Sequence, residues 1–280
     1  MSFTLRPARQ DDVPKIEPWT RDTFSWGDYV GEALPTWIED ESSAVVVAVD
    51  EDDNPLAVAR AEMLSPTEGW LSAARVHPDH RRAGLGAAMN DEGVKWAADR
   101  GAQIVRLVVE EDNQAAQSQV EKLGYRNTCV WILGEADTPR GPLPRERDRL
   151  HPAPSADADA GWLLWLGSEL ARAGRELYPR HWRWRKTVRS DLDPPIANRN
   201  LYQGGAGWVV AVPHEGRLEV AWMVTDPADC PSLLEGIAEV ARQLEMARIE
   251  VFIPETPWTR EALIREGFTT RRFLIYAKSL

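Results

Sequence analysis

The stretch VHPDHRRAGLG, Val76 to Gly86, sets two histidines, two arginines and two glycines between an apolar run and what reads as a helix. A strand that runs into a glycine-containing turn and then a helix presents several main-chain N–H groups at the helix start. There the first turn has no internal acceptors and carries partial positive charge, so the turn is an anion site. Gly84 and Gly86 let the backbone approach a bulky phosphate, while Arg81 and Arg82, with His80 beside them, bring charge around it. Donors spread over Arg81, Arg82, Ala83, Gly84, Leu85, Gly86 and Ala87 suit a pyrophosphate better than a single carboxylate. A plain polar turn before a helix has a similar composition, so its surroundings decide.

Those surroundings read as alternating strands and helices. FTLRPA alternates as a strand, RQDDVPKIEPW opens a helix, and residues 21–42 read as helical and Trp-containing. AVVVAVDEDDNPLAVARAEML makes two strands around an Asp-Asp-Asn-Pro turn, and WLSAARV adds a third, giving an antiparallel meander. GLGAAMNDEGVKWAADRGA follows as a helix stopped at Gly101, then IVRLVVEE as a buried strand. NQAAQSQVEKLGY is a short helix capped by Asn113 and closed at Gly124, and RNTCVWIL is a last strand.

With that context, Val76, Pro78, Arg81, Gly84, Gly86, Asn113, Ala116, Gly124 and Tyr125 resemble the motif of the GNAT acetyltransferase superfamily, and FTLRPARQDDV resembles its opening strand. The resemblance covers residues 1–134, and by pattern alone 205–280. It implies acetyl-CoA as cosubstrate, with no metal. The pyrophosphate would sit on the N–H groups from Arg81 to Ala87, and the pantetheine arm would pair like an added strand along Ala74 to Val76. The Val76 amide would polarise the thioester carbonyl, and Asn113 would contact pantetheine or a water. A donor already aimed where charge develops is the preorganised stabilisation that acyl transfer needs.

The proton carriers depart from the family pattern. The tyrosine expected seven residues after the asparagine is Val120, which leaves water or Gln117 to assist the thiolate and Tyr125 to packing. For the base, Trp70 occupies the usual carboxylate position, and Glu68, Glu62 and Glu110 stand as alternatives. Each also reads as an ordinary surface glutamate. Asp22, Asp28 and Glu32, among Trp19, Trp26, Tyr29 and Trp37, are candidate receivers of an ammonium group, although the aromatic residues also read as core.

The pattern returns beyond a Pro-, Asp- and Arg-rich stretch. GWVVAV, PHEGR and LEVAWMVTDP echo the hairpin and third strand, SLLEGIAEVARQLEMA the helix, RIEVFI the buried strand and PWTREALIREGF the closing helix. At the positions of Arg81, Gly84 and Gly86 this copy has Cys230, Leu233 and Glu235, so it lacks the phosphate turn. The expectation is an α/β (α+β) fold of two tandem GNAT-like domains, each a mixed, largely antiparallel sheet flanked by helices. These are 1–134 with the acetyl-CoA site, a linker 135–160 with a short strand in RDRLH, and a degenerate 161–280 whose segment 162–203 reads as mainly helical. Each copy shows one strand after its Gly-aromatic helix end, which suggests exchange of a strand between them.

Bulk properties narrow the partners. Of 280 residues, 44 are acidic and 33 basic, a net charge of -11, which disfavours nucleic acid and anionic membranes and favours a cationic partner such as an amine. PRHWRWRKTVR interleaves Trp182 and Trp184 with basic residues and offers an RNA-binding alternative. Two cysteines, Cys129 and Cys230, give neither a disulfide framework nor a zinc site, and nothing reads as a signal peptide or membrane span, so a cytoplasmic location is expected. The function that follows is transfer of an acetyl group from acetyl-CoA to a primary amine, small-molecule or peptide, by direct attack. The alternative is a non-catalytic acyl-CoA-binding module. Oligomeric state is not legible.

Overall fold

The structure, a computed structural model, describes residues 2–23, 27–139 and 149–280. The chain divides into two compact units: Met1–Leu107 with Gln119–Arg126 and Ala277–Leu280, and Val108–Ser118 with Asn127–Tyr276.

The first unit opens with β1 (Thr4–Pro7), α1 (Val13–Thr20) and α2 (Val30–Glu39), then β2 (Ser43–Val49), β3 (Pro55–Ser65), β4 (Glu68–Val76) and α3 (Leu85–Ala98). β5 (Ile104–Glu110) and α4 (Gln114–Lys122) pass across the division. β1 to β4 pair antiparallel in sequence order, and β4 pairs parallel with the start of β5. The alternation of β2 explains its two faces. Val45, Val47 and Val49 pack with Ile16, Val30 and Leu34 under α1 and α2. Ala48, with Leu56 and Ala57 of β3, packs on Leu85 and Met89 of α3. That helix buries Leu85, Met89, Gly93 and Ala97, one residue per turn. Gly93 serves close packing, since a Cβ there would stand 3.1 Å from Leu71 Cδ2.

The second unit contains β6 (Arg126–Asp137), β7 (His151–Pro152), α5 (Ala158–Gly167), α6 (Glu169–Ala173), β8 (Leu177–Arg180), β9 (Arg183–Lys186), α7 (Asp193–Ala197) and β10 (Leu201–Gly204). It continues through β11 (Gly207–His214), β12 (Arg217–Val224), α8 (Cys230–Gln243), β13 (Arg248–Pro254), α9 (Thr259–Arg265) and β14 (Thr269–Ser279). Its strands follow the order β14-β6-β13-β12-β11-β10-β7. The exchange is present in this order. β6, from the first half of the sequence, pairs antiparallel with β13, Trp131 opposite Pro254 through Asp137 opposite Arg248. Thr128 of β6 also donates to the Ile275 carbonyl of β14 at 3.0 Å.

Segment 162–203 is not mainly helical. After α5 and α6 it forms the hairpin β8–β9, Leu177 opposite Lys186 through Arg180 opposite Arg183. Its turn residues His181 and Trp182 have φ of 49° and 64°, the left-handed pair that a two-residue hairpin turn requires. Ring packing explains why these residues do not continue a helix: Trp182 lies edge-on to Phe252 and Phe273 at 5.0 and 4.9 Å. Trp184, fully buried, meets Trp131 at 6.1 Å. Arg147 and Asp148 of RDRLH lie outside the described residues, Arg149 and Leu150 form no strand, and β7 begins at His151.

Candidate active site

The phosphate-type turn forms as the sequence suggests, by means that composition does not show. A 3-10 turn over Pro78–His80 leads from β4 to Arg81, and the chain then turns left-handed twice, at Arg82 (φ 65°) and Gly84 (φ 82°), before α3 starts. Among the described residues no hydrogen bond takes the amides of Gly84, Leu85 or Gly86, whereas the Ala87 and Ala88 amides close onto the Gly84 carbonyl at 3.1 Å each. The expected row of donors is therefore shortened at its far end: Ala87 turns its N–H inward, as the third residue of a helix does when the turn tightens. A Cβ on Gly84 would meet nothing within 4 Å, so this glycine supplies conformation and leaves open space. A Cβ on Gly86 would meet Gln119 Nε2 of α4, the far end of a long side chain that can swing aside. Arg81 and Arg82 are exposed, and no carboxylate pairs with either among the described residues. Two exposed cations and three amides without a hydrogen-bond acceptor among the described residues are the kind of donor set that a polyanion would need.

On the strand before this turn, His77 donates its amide to the Leu56 carbonyl at 2.8 Å, and Val76 stands opposite Ala57. Residues of an antiparallel pair alternate, so the Val76 N–H points away from β3. Parallel pairing of β4 with β5 stops at Trp70 opposite Arg106, and the β4 edge from Leu71 to Val76, which includes Ala74, is left without that partner. A bulge between Val58 and Arg60 of β3 places Ala73 and Ala74 opposite one residue, with Ala73 at φ 56°. No composition rule pointed to this bulge, because an alanine is not a left-handed residue by preference.

The carboxylates divide. Glu68 is buried, with Oε1 held by the guanidinium of buried Arg106 and Oε2 accepting from Ser65 Oγ at 3.2 Å. It also lies eight residues before Val76 on one strand, about 25 Å away at the usual rise, so one carbonyl cannot meet both. Glu62 is buried 3.5 Å from Arg60, and across the strand pair it faces Trp70. Glu110, in the second unit, lies half-buried at the end of β5 with Arg271 4.0 Å away. Asp28 does not await an ammonium group: its side chain has no exposure, and it accepts from Arg75 at 2.5 and 3.1 Å and from the Val30 amide at 3.0 Å. Trp26 lies outside the described residues.

On α4, Asn113 Oδ1 accepts from the Ala116 amide at 3.1 Å, the expected cap. Gln117 turns its amide nitrogen back to the Glu111 and Glu110 carbonyls at 2.6 and 3.3 Å, so that donor is already occupied. Tyr125, buried, donates to Asn90 Oδ1 of α3 at 2.8 Å, and burial pushes its hydroxyl pKa far up, as suits a packing residue.

The second copy shows what the loss of the turn means physically. Asp226 Oδ1 accepts from the Ala228 and Asp229 amides at 2.9 and 3.1 Å, so the loop before α8 carries its own anion. Parallel pairing of β12 with β13 also ends early, at Val220 opposite Val251. Beyond it Trp131, Trp165, Leu170, Trp222 and Phe252 close around a cavity of about 10 Å³. Among the described residues no group of three or more His, Cys, Asp or Glu could hold a metal ion, and no helix is long and apolar enough to cross a membrane.

These features are those of an acetyltransferase fold. Residues 13–125 match the model of the acetyltransferase (GNAT) family. The solved structures most like the chain include a GCN5-related N-acetyltransferase from Sphaerobacter thermophilus, with TM-score 0.71 and 16% identity over 99% of this chain and 95% of that one. A tandem GNAT protein from the clavulanic acid biosynthesis pathway aligns with TM-score 0.60 and 13% identity over 99% and 98%. Over nearly its whole length the chain shares the fold of that tandem protein. Among curated relatives, the mycothiol acetyltransferase of Kocuria rhizophila is 27% identical over 112 residues, 38% of this chain and 37% of the relative, so the match spans little more than a third of that protein.

Proposed function

We propose that the chain is an acetyl-CoA-dependent N-acetyltransferase whose first unit holds the cosubstrate and whose acceptor is a primary amine. The observation that carries the reading is the run of outward amides at Gly84, Leu85 and Gly86 beside two arginines that pair with no carboxylate among the described residues, within the stretch that matches the family. The residues fit a diphosphate: main-chain donors on a helix start, an open left-handed glycine and full positive charge. Arg82 and Ala83 complete the turn, and Arg81 holds a phosphate oxygen by a charge-assisted bond. The pantetheine arm lies along the β4 edge from Ala74 to Val76, beyond the end of its pairing with β5, as an added strand would.

The chemistry is attack of a neutral amine nitrogen on the thioester carbon. The Val76 N–H receives the negative charge that develops on the carbonyl oxygen, and the bond to sulfur then breaks to release CoA thiolate. Glu68, Glu62 and Glu110 were the carboxylates expected to take the amine's proton, and none of them is assigned that role. Glu68 is set aside, because Arg106 and Ser65 engage it and it stands at the far end of β4. With Val120 at the usual tyrosine position, solvent protonates the thiolate, a leaving group that departs without full protonation. The Kocuria relative makes mycothiol-related amines the first acceptors to try.

Release of CoA thiol from acetyl-CoA, followed across a panel of amines, peptides and aminoglycosides, tests this. The expected result is acceptor-dependent release that falls sharply in Arg81→Ala at limiting acetyl-CoA. Binding of acetyl-CoA with no release for any acceptor would favour the non-catalytic acyl-CoA-binding module instead, a reading that the engaged Glu68 and Gln117 side chains support.

A further inference from the structure

We infer that the Asp28–Arg75 pair is a positioning device that holds the β4 bulge and thereby aims the Val76 amide, an inference that rests on the role proposed for Val76. Arg75 lies between the bulged residues Ala73 and Ala74 on one side and Val76 on the other. Its guanidinium meets the Asp28 carboxylate through two nitrogens, at 2.5 and 3.1 Å, and lies 5.7 Å from the Tyr29 ring. The carboxylate is fixed in turn by the Val30 amide at the start of α2 and has no exposure. A planar fork bound at two points resists both rotation and sliding, which a single contact does not.

The strand needs such a restraint. Ala73 adopts φ 56°, a region that a non-glycine residue disfavours and keeps only where its surroundings impose it. Its methyl group is buried with Ile16, Val30 and Leu34, which holds the bulge from below. Arg75 anchors it from the next residue but one. Removing the anchor lets the bulged residues Ala73 and Ala74 sample other backbone dihedrals, which tilts the Val76 N–H off its line while the strand end keeps its register with β3. The phosphate turn lies beyond His77, whose own bond to Leu56 is independent of the pair. The inference therefore separates two things a merely structural ion pair would lose together: grip on CoA and polarisation of the thioester.

The test uses the full chain and [1-13C]acetyl-CoA as probe, with difference infrared spectroscopy for the thioester carbonyl stretch and calorimetry for CoA affinity. In the unaltered protein the bound carbonyl shifts to lower frequency. Asp28→Asn and Arg75→Gln are expected to keep CoA affinity within about twofold and to lose more than half of that shift, while Arg75→Lys, which keeps one charged contact, recovers part of it. A full shift in both Asp28→Asn and Arg75→Gln overturns the inference. So does joint loss of CoA affinity and cooperative melting in all three variants, which would make the pair structural only. If the unaltered protein binds acetyl-CoA without any carbonyl shift, the role of Val76 itself fails, and the pair has nothing to aim.

Discussion

At the scale of single residues, the backbone conformation of two positions decides more than their side chains. Gly84 at φ 82° opens the turn, and an aspartate there brings both left-handed strain of roughly 1 kcal/mol and a charge against phosphate. Gly84→Asp is therefore expected to abolish acetyl-CoA binding in calorimetry while leaving the melting temperature within a few degrees; unchanged affinity would mean the turn holds nothing. The left-handed turn at Gly84 was legible because a glycine in a turn before a helix suits that backbone. The left-handed backbone of Arg82 and Ala73 was not, since only coordinates reveal such a conformation in an arginine or alanine. Glu68 illustrates the same limit: a glutamate on a strand reads alike whether solvated or clamped by an arginine 38 positions away. A different residue-scale prediction concerns Glu250, which stands across the strands from Glu219 and Glu135. Burial raises its pKa, Arg217 opposes this, and Glu135 and Glu219 add to it. A carboxylate whose folded pKa is raised takes up protons on folding, so its contribution to stability is lost as pH rises from the ordinary carboxylate range through the raised value. Glu250→Gln should flatten that fall and raise the melting temperature at neutral pH. Thermal melts on both proteins across about pH 4 to 8 check it, and parallel curves would contradict it.

At the scale of elements, the order of strands and helices was readable, because period-2 alternation in β2 and one buried residue per turn in α3 are strong signals. The hairpin β8–β9 was not. Its tryptophans and arginines suit a helix face equally well, and what selects the hairpin is the ring pocket of Phe252, Phe273 and Trp131 into which Trp182 and Trp184 pack. Trp184→Ala is expected to cost about 3–5 kcal/mol, seen in denaturant melts; a loss below about 1 kcal/mol would show that the cluster is not packed as described. The loop before α8 carries the complementary lesson. Cys230, Leu233 and Glu235 show where the arginine and glycines of the first copy are replaced, but not that Asp226 accepts from the amides of this loop. Asp226→Ala should destabilise by about 0.5–2 kcal/mol, as the loss of a capping carboxylate does, without gaining acetyl-CoA affinity.

At the scale of the whole molecule, the duplication was visible as a repeated pattern of hairpin, helix, strand and helix, and the family match to residues 13–125 falls on its first copy. Strand exchange was anticipated only from a missing element, since nothing local in β6 names its partner. Because β6 pairs with β13, a fragment ending at residue 134 cuts that strand and removes its neighbour. Such a fragment should lack a cooperative thermal transition that the full chain shows, and a well-folded fragment would argue that the first copy is self-sufficient. The charge of -11 makes two exposed arginines beside free amides more conspicuous, as a cationic spot on an acidic protein. The account turns on whether that spot holds a diphosphate. Calorimetric titration of the full chain with acetyl-CoA measures this most directly. Saturable binding of one molecule per chain, weakened roughly 10- to 100-fold by Arg81→Ala, is the predicted result; no heat of binding at millimolar acetyl-CoA, or binding indifferent to both Arg81→Ala and Gly84→Asp, would contradict it.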